Sequence, residues 1–147
     1  MKVLITGGSG FIGGTIANQL AHDINLKIIA TGRVKRPKHL DLDRLEYLPL
    51  HLTDELPDLD HDICIHSAGL ADDKSSKDAL MNNNVKATEN LIWHLKRCKI
   101  FIFISFMIYL NELYWQNYYS VFFRVEKIIF GLNLPGARLA LGHNISC

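Results

Sequence analysis

The chain has 147 residues, enough for one domain with a substantial core, and a net charge of +1 with 21% charged residues. That balance excludes nucleic-acid binding driven by bulk electrostatics. Three widely spaced cysteines, Cys64, Cys98 and Cys147, form no Cys-x-x-Cys pair and read as the reduced thiols of a cytoplasmic protein. The N-terminus enters a strand-like run at once, without a signal-peptide pattern, and the longest apolar stretch, Ile100 to Leu110, is interrupted by Ser105 and too short to span a bilayer. No membrane partner is expected.

In chain order, the first strand-like run is Lys2–Thr6, and it feeds Thr6-Gly7-Gly8-Ser9-Gly10-Phe11-Ile12-Gly13. The spacing satisfies both Gly-x-Gly-x-x-Gly and Gly-x-x-Gly-x-x-Gly. Such a turn hands a buried strand to a helix while leaving backbone N–H groups and a positive dipole end at Phe11, Ile12 and Gly13 to face an anion. Gly7 supplies the tight turn, Gly10 the close approach of a pyrophosphate, and Gly13 the close packing of helix on sheet. A helix is expected over Phe11–His22, with apolar residues at Phe11, Ile12, Ile16 and Leu20.

Further strand-like runs follow at Leu26–Thr31, Leu45–Leu48, Asp62–His66 and Ile100–Ser105, with a weaker one at Ala137–Leu141, and helices are expected within Ser75–Cys98 and over Val121–Gly131. Short apolar strands alternating with helices imply an α/β doubly wound parallel sheet, a Rossmann fold, with ligands beyond the carboxyl ends of the strands. Between Ile100 and Val125 the only charged residues are Glu112 and Arg124, while ten of the fourteen aromatic residues fall there. An aromatic segment over 101–123 with so little charge is expected to be covered by another subunit or domain, making an oligomer through it a partner expectation.

The end of the second strand distinguishes nicotinamide cofactors, because a carboxylate there pairs with ribose hydroxyls and a cation with a 2′-phosphate. Here Arg33 is followed by Lys35, Arg36 and Lys38, with no acid before Asp41. The expectation is NADP favoured over NAD, against the alternative of a solvated basic loop. Asp62-Ile63-Cys64-Ile65-His66 runs into Ser67, Ala68 and Gly69, small residues that leave room for a dinucleotide across the strand's end. Cys64 and His66 share one face of a strand, but with no third ligand nearby they read as a core pair, and no metal is expected. Asn84, in the Asn82 to Leu91 helical stretch, is either exposed or bonds across to a strand or loop.

Together, Thr6–Gly13, Asp62–Gly69 and Asn84–Leu91 resemble the extended short-chain dehydrogenase/reductase family, the NAD-dependent epimerase/dehydratase group. The likeness covers residues 1–105 well and 106–147 loosely. The resemblance implies one NAD(P)-binding Rossmann domain over 1–147, a C-terminal substrate domain that in the family often accepts nucleotide sugars, and a Ser/Tyr/Lys active site. A dinucleotide and a nucleotide-sugar or carbonyl substrate are the implied ligands. By position Ser105 resembles the catalytic serine and Tyr118 the catalytic tyrosine. Phe122 then stands where the family's lysine belongs, His51 where it commonly has an adenine-contacting aspartate, and Leu110 where a glycine is usual.

Without the lysine a tyrosine near its ordinary pKa of about 10 is scarcely ionised at neutral pH, so turnover is expected to be severely reduced. The family pattern would continue well past Cys147, so the substrate domain is expected to be absent from this chain. Three readings follow from the residues: an impaired oxidoreductase or epimerase, a non-catalytic dinucleotide-binding module, or a fragment of an interrupted gene.

Overall fold

The computed structural model describes residues 1–107 apart from Asp60, Asp73 and Lys96, together with the strand 122–126. The order of elements is β1 (Lys2–Thr6), α1 (Phe11–Leu20), β2 (Lys27–Gly32), β3 (Glu46–Pro49), β4 (Ile63–His66), α2 (Lys77–Leu80), a π-helical turn (Met81–Lys86), α3 (Ala87–His94), β5 (Ile100–Met107) and β6 (Phe122–Glu126). These strands form one sheet in the order β3-β2-β1-β4-β5-β6. The first five run parallel, and β6 is an antiparallel edge.

Alternation along β1 explains why the sheet is covered on both faces. Val3 and Ile5 point into a cluster with Ala17 of α1, Ile28, Ala30 and Ile65. Leu4 points the other way, into a cluster with Cys64, Leu91 and Leu95, together with Leu52, Leu56 and Phe101. Side chains of period two thus divide one short strand between two cores, and the near-continuous apolar run Val3-Leu4-Ile5 is the sequence trace of that division. Burial of Leu4, Ile5 and Leu91, each 0% exposed, contributes roughly 1.5–3 kcal/mol apiece.

Cys64, also fully buried, has its thiol pushed well up by desolvation.

The expected helix over Val121–Gly131 is corrected at its start, because Phe122–Glu126 is strand and pairs with β5, Ser105 opposite Arg124. Two adjacent phenylalanines and a valine suit a pleated surface better than a helix, and β5 offers them an unpaired edge. The remainder of that stretch, and Ala137–Leu141, lie outside the described residues. Of the aromatic segment expected to need a cover, Phe101 is buried in the core and Phe103 half-buried against it, so this part is already covered by the chain's own helices. Among the described residues, no helix is long and apolar enough to cross a membrane.

Candidate nucleotide-binding site

The sheet order reverses direction between β1 and β4, and the chain leaves both strands at their carboxyl ends into glycine-rich or small-residue loops. A crevice at such a switch point is where open α/β sheets take their ligands. Gly7, Gly10, Arg33, Ser67, Ala68 and Gly69 line one cleft there. A wider hollow beside β2 and β3, lined by Lys27, Lys35, Arg36 and Glu46, includes none of these residues.

The glycines of the loop serve different ends. Gly7 has φ +75°, and a β-carbon on it would lie 2.7 Å from Ala68 N; both conformation and the neighbouring loop require glycine. Gly13 is held by packing, since a β-carbon there would strike the Gly7 carbonyl and lie 2.5 Å from Ser67 Oγ. Gly10 answers to packing only in part. Its φ of −92° and ψ of 171° are open to any residue, and its β-carbon would meet one atom, Gly7 O, at 3.2 Å.

Gly10 is also the N-cap of α1, with no side-chain cap and no acidic residue in the first turn. Its own N–H donates to Gly7 O at 2.8 Å, and the Gly14 N–H closes the first helical bond to Gly10 O at 2.9 Å. The N–H groups of Phe11, Ile12 and Gly13 precede that bond and have no intrahelical acceptor. Phe11 is 88% exposed and Ile12 half-buried beside them. Free N–H groups and the positive end of the helix dipole at such a terminus favour an anion.

The opposite rim follows β4. Ser67 N–H and Oγ–H both donate to Thr6 O, at 3.2 and 2.7 Å, tying the two strand ends together. Asn84 stands in the π-helical turn and bonds across to this rim, Oδ1 accepting from Leu70 N–H at 2.6 Å and Nδ2 donating to Leu70 O at 3.0 Å. Between them lies His66, which with Cys64 is buried as the core pair that the sequence suggests. His66 is 1% exposed, its Nδ1 is 2.5 Å from Thr6 Oγ1, and its Nε2 is 2.8 Å from Thr88 Oγ1. Burial holds its pKa down at about 4, so the imidazole is neutral at ordinary pH, and both ring nitrogens are engaged by hydroxyls rather than open to a metal. Only the spacing of Thr6 to the glycine loop and of Thr88 to Asn84 hints at this in the sequence.

Arg33 lies at the end of β2 and on the wall of the cleft, but it is exposed and makes no hydrogen bond or ion pair among the described residues. His51, on the same wall, pairs its Nδ1 with Thr53 Oγ1 at 2.6 Å. Ser105 is placed on β5, whose Phe103 is in register with His66. Tyr118 lies outside the described residues.

The family model described as NAD dependent epimerase/dehydratase family matches residues 3–107. The chain belongs to that family. Similar solved structures include the Bordetella bronchiseptica enzyme WbmH in complex with NAD+, at 26% identity and a TM-score of 0.56 over 65% of this chain and 35% of that one. A UDP-N-acetylglucosamine 4-epimerase from Methanobrevibacter ruminantium M1, in complex with UDP-N-acetylmuramic acid, is 26% identical with a TM-score of 0.56, covering 67% of this chain and 35% of that one. The fold is shared with a UDP-glucuronic acid 4-epimerase from Bacillus cereus in complex with NAD, at 24% identity and a TM-score of 0.61 over 71% of this chain and 40% of that one. The chain thus spans between a third and two fifths of the length of these family structures. No curated protein matches it.

These relatives correct the expectation of NADP. WbmH, 26% identical to this chain, was solved with NAD+, which counts against NADP. Arg33, Lys35, Arg36 and Lys38 are all exposed, and a charge run by itself fixes no phosphate.

Proposed function

We propose that this domain binds NAD across the carboxyl ends of β1 and β4 and serves nucleotide-sugar chemistry of the kind its relatives perform. Gly10 carries this reading. Its backbone angles do not call for glycine, its packing does so only through the Gly7 carbonyl oxygen at 3.2 Å, and the bare main chain at the start of α1 supports the close approach of a ligand. The N–H groups of Phe11, Ile12 and Gly13 hold the pyrophosphate, Gly7 shapes the turn, Ser67, Ala68 and Gly69 give a flat floor toward the nicotinamide, and Asn84 holds that floor in place. Bound there, the nicotinamide supplies a hydride acceptor and donor. Ser105 would hydrogen-bond the substrate and Tyr118 would exchange its proton. The buried free thiols of Cys64 and Cys98 support a reducing, cytoplasmic location.

A second reading, NAD binding without turnover, is favoured by the strand at Phe122–Glu126. A tyrosine and a lysine four residues apart are neighbours on a helix but stand about 13 Å apart along a strand, and at the second of these positions the chain has phenylalanine in a strand. Under this reading residues 1–147 act as a nucleotide-binding module.

Calorimetric titration tests the shared claim. Gly10→Leu places a side chain in the anion cradle with one tight protein contact, the Gly7 carbonyl oxygen, and in a variant shown to be folded by circular dichroism NAD binding is expected to be lost. Undiminished NAD affinity in a folded Gly10→Leu variant would refute the assignment. Hydride transfer to UDP-sugars, followed at the absorbance of reduced nicotinamide, separates the two readings.

A further inference from the structure

His66 lies between two hydroxyls whose own hydrogen bonds fix its tautomer. Thr88 Oγ1 is 2.6 Å from Asn84 O, an atom that can only accept, so the single hydroxyl proton of Thr88 goes to that carbonyl. Its oxygen therefore accepts from His66 Nε2–H at 2.8 Å. Nδ1 is left bare and accepts from Thr6 Oγ1–H at 2.5 Å, while Thr6 Oγ1 faces Ala68 N–H at 3.4 Å. The chain of donors runs one way only: Ala68 N–H to Thr6, Thr6 to His66, His66 to Thr88, Thr88 to the Asn84 carbonyl. Asn84 then closes the circuit through its side chain to both polar groups of Leu70.

Its ends are therefore the two sides of one rim. Ala68 and Leu70 flank Gly69, and the relay between them passes beneath it through β1, β4 and the π-helical turn. That turn is part of the device: Ala87 N–H reaches five residues back to Asn82 O, and the Asn84 carbonyl takes the Thr88 hydroxyl. π-turns of this kind recur at functional sites. Phe101 and Phe103 stand against the imidazole with ring centroids 5.9 and 5.4 Å away, and His66 and Thr6 are buried while Thr88 is half-buried.

We infer that His66 is a positioning residue for the nicotinamide half of the dinucleotide, acting through Thr6 and Thr88 to hold the Ala68–Leu70 rim at a fixed height above the sheet. This rests on the reading of the cleft as a NAD site. In that site the adenosine lies toward β2, and the nicotinamide toward β4 and β5. A loosened rim costs affinity for NAD but spares AMP, which fills the adenosine and helix N-terminus subsites alone.

The experiment compares wild type, Thr88→Val and Thr88→Ser by calorimetry with NAD and with AMP, and records the imidazole 15N resonances of His66. Valine keeps the shape and removes the relay's hydroxyl; serine restores it. Loss of one buried hydrogen bond in the relay is expected to weaken NAD by about tenfold in Thr88→Val, with AMP changed by less than about twofold and Thr88→Ser close to wild type in both. The 15N shifts of wild type are expected to report a neutral Nε2–H tautomer. Parallel loss of NAD and AMP, unchanged NAD affinity in Thr88→Val, or an Nδ1–H tautomer each overturns the inference. Wild type that binds neither nucleotide refutes the reading of the site itself, and this inference with it; wild type that binds both equally well as Thr88→Val refutes the inference alone. Should Thr88→Val fail to fold, the tautomer in wild type still decides.

Discussion

Acidification should unfold this protein through His66 before most of its carboxylates are protonated. The perturbation is a fall from pH 7 to pH 5. In the unfolded chain the imidazole takes up its proton around 6.5, whereas in the folded protein burial delays this to about 4. Between those values the unfolded state binds more protons, so stability falls with falling pH. The contribution is fully present above about 6.5 and fully lost below about 4. At about 1.4 kcal/mol per pH unit, the whole window is worth about 3 kcal/mol, of which about 2 kcal/mol is lost between pH 7 and 5. Urea unfolding followed by circular dichroism, on wild type and on His66→Gln, measures it. The variant is less stable at pH 7 because it breaks the relay, but its stability should fall by about 2 kcal/mol less than that of wild type over the same pH interval. Carboxylates such as Asp62, whose pKa is lowered by the Lys2 N–H, by Lys99 and by the chain's amino terminus, titrate in both proteins and cancel. Parallel pH profiles would refute the placement of a neutral, buried imidazole at residue 66.

Gly13→Ala is expected to cost about 1–3 kcal/mol in thermal unfolding, since its β-carbon meets the Gly7 carbonyl and Ser67 Oγ at once; a variant as stable as wild type would contradict that packing. Asn84→Ala leaves both polar groups of Leu70 without their side-chain partner and should destabilise by about 1–3 kcal/mol in the same assay. Arg33→Ala, in contrast, should leave NAD affinity within about twofold by calorimetry, because an exposed guanidinium contributes little; a large loss would give Arg33 a role that its solvated position does not suggest.

The parts of this protein legible in its sequence are those set by local chemistry. The glycine loop declares itself because a strand, a tight turn and a helix start follow one another within a dozen residues. Val3-Leu4-Ile5 and Ile63-Cys64-Ile65 declare a sheet covered on both faces for the same reason. What stayed hidden depends on neighbours far along the chain. Thr6 and His66 are 60 residues apart and meet only because β1 and β4 are paired in register, so the sequence shows His66 as core but not the hydroxyls that bond it there. Residues 122–126 carry a pattern that fits a helix by likeness to the family, and the free edge of β5 makes them a strand instead. Arg33 has the charge to read a phosphate, but nothing in a run of basic residues tells whether a phosphate stands opposite.

The central claim is that NAD lies on the glycine loop and on the floor after β4. Titration of 15N-labelled protein with NAD, observed in the amide spectrum, tests it residue by residue. The account predicts saturable shifts at Gly7, Gly10, Phe11, Ile12 and Gly13 and at Ser67, Ala68 and Gly69, with the outer strand β3 at Glu46 unmoved. Shifts confined to the hollow beside Lys27 and Arg36, or no shifts at millimolar NAD, would contradict it.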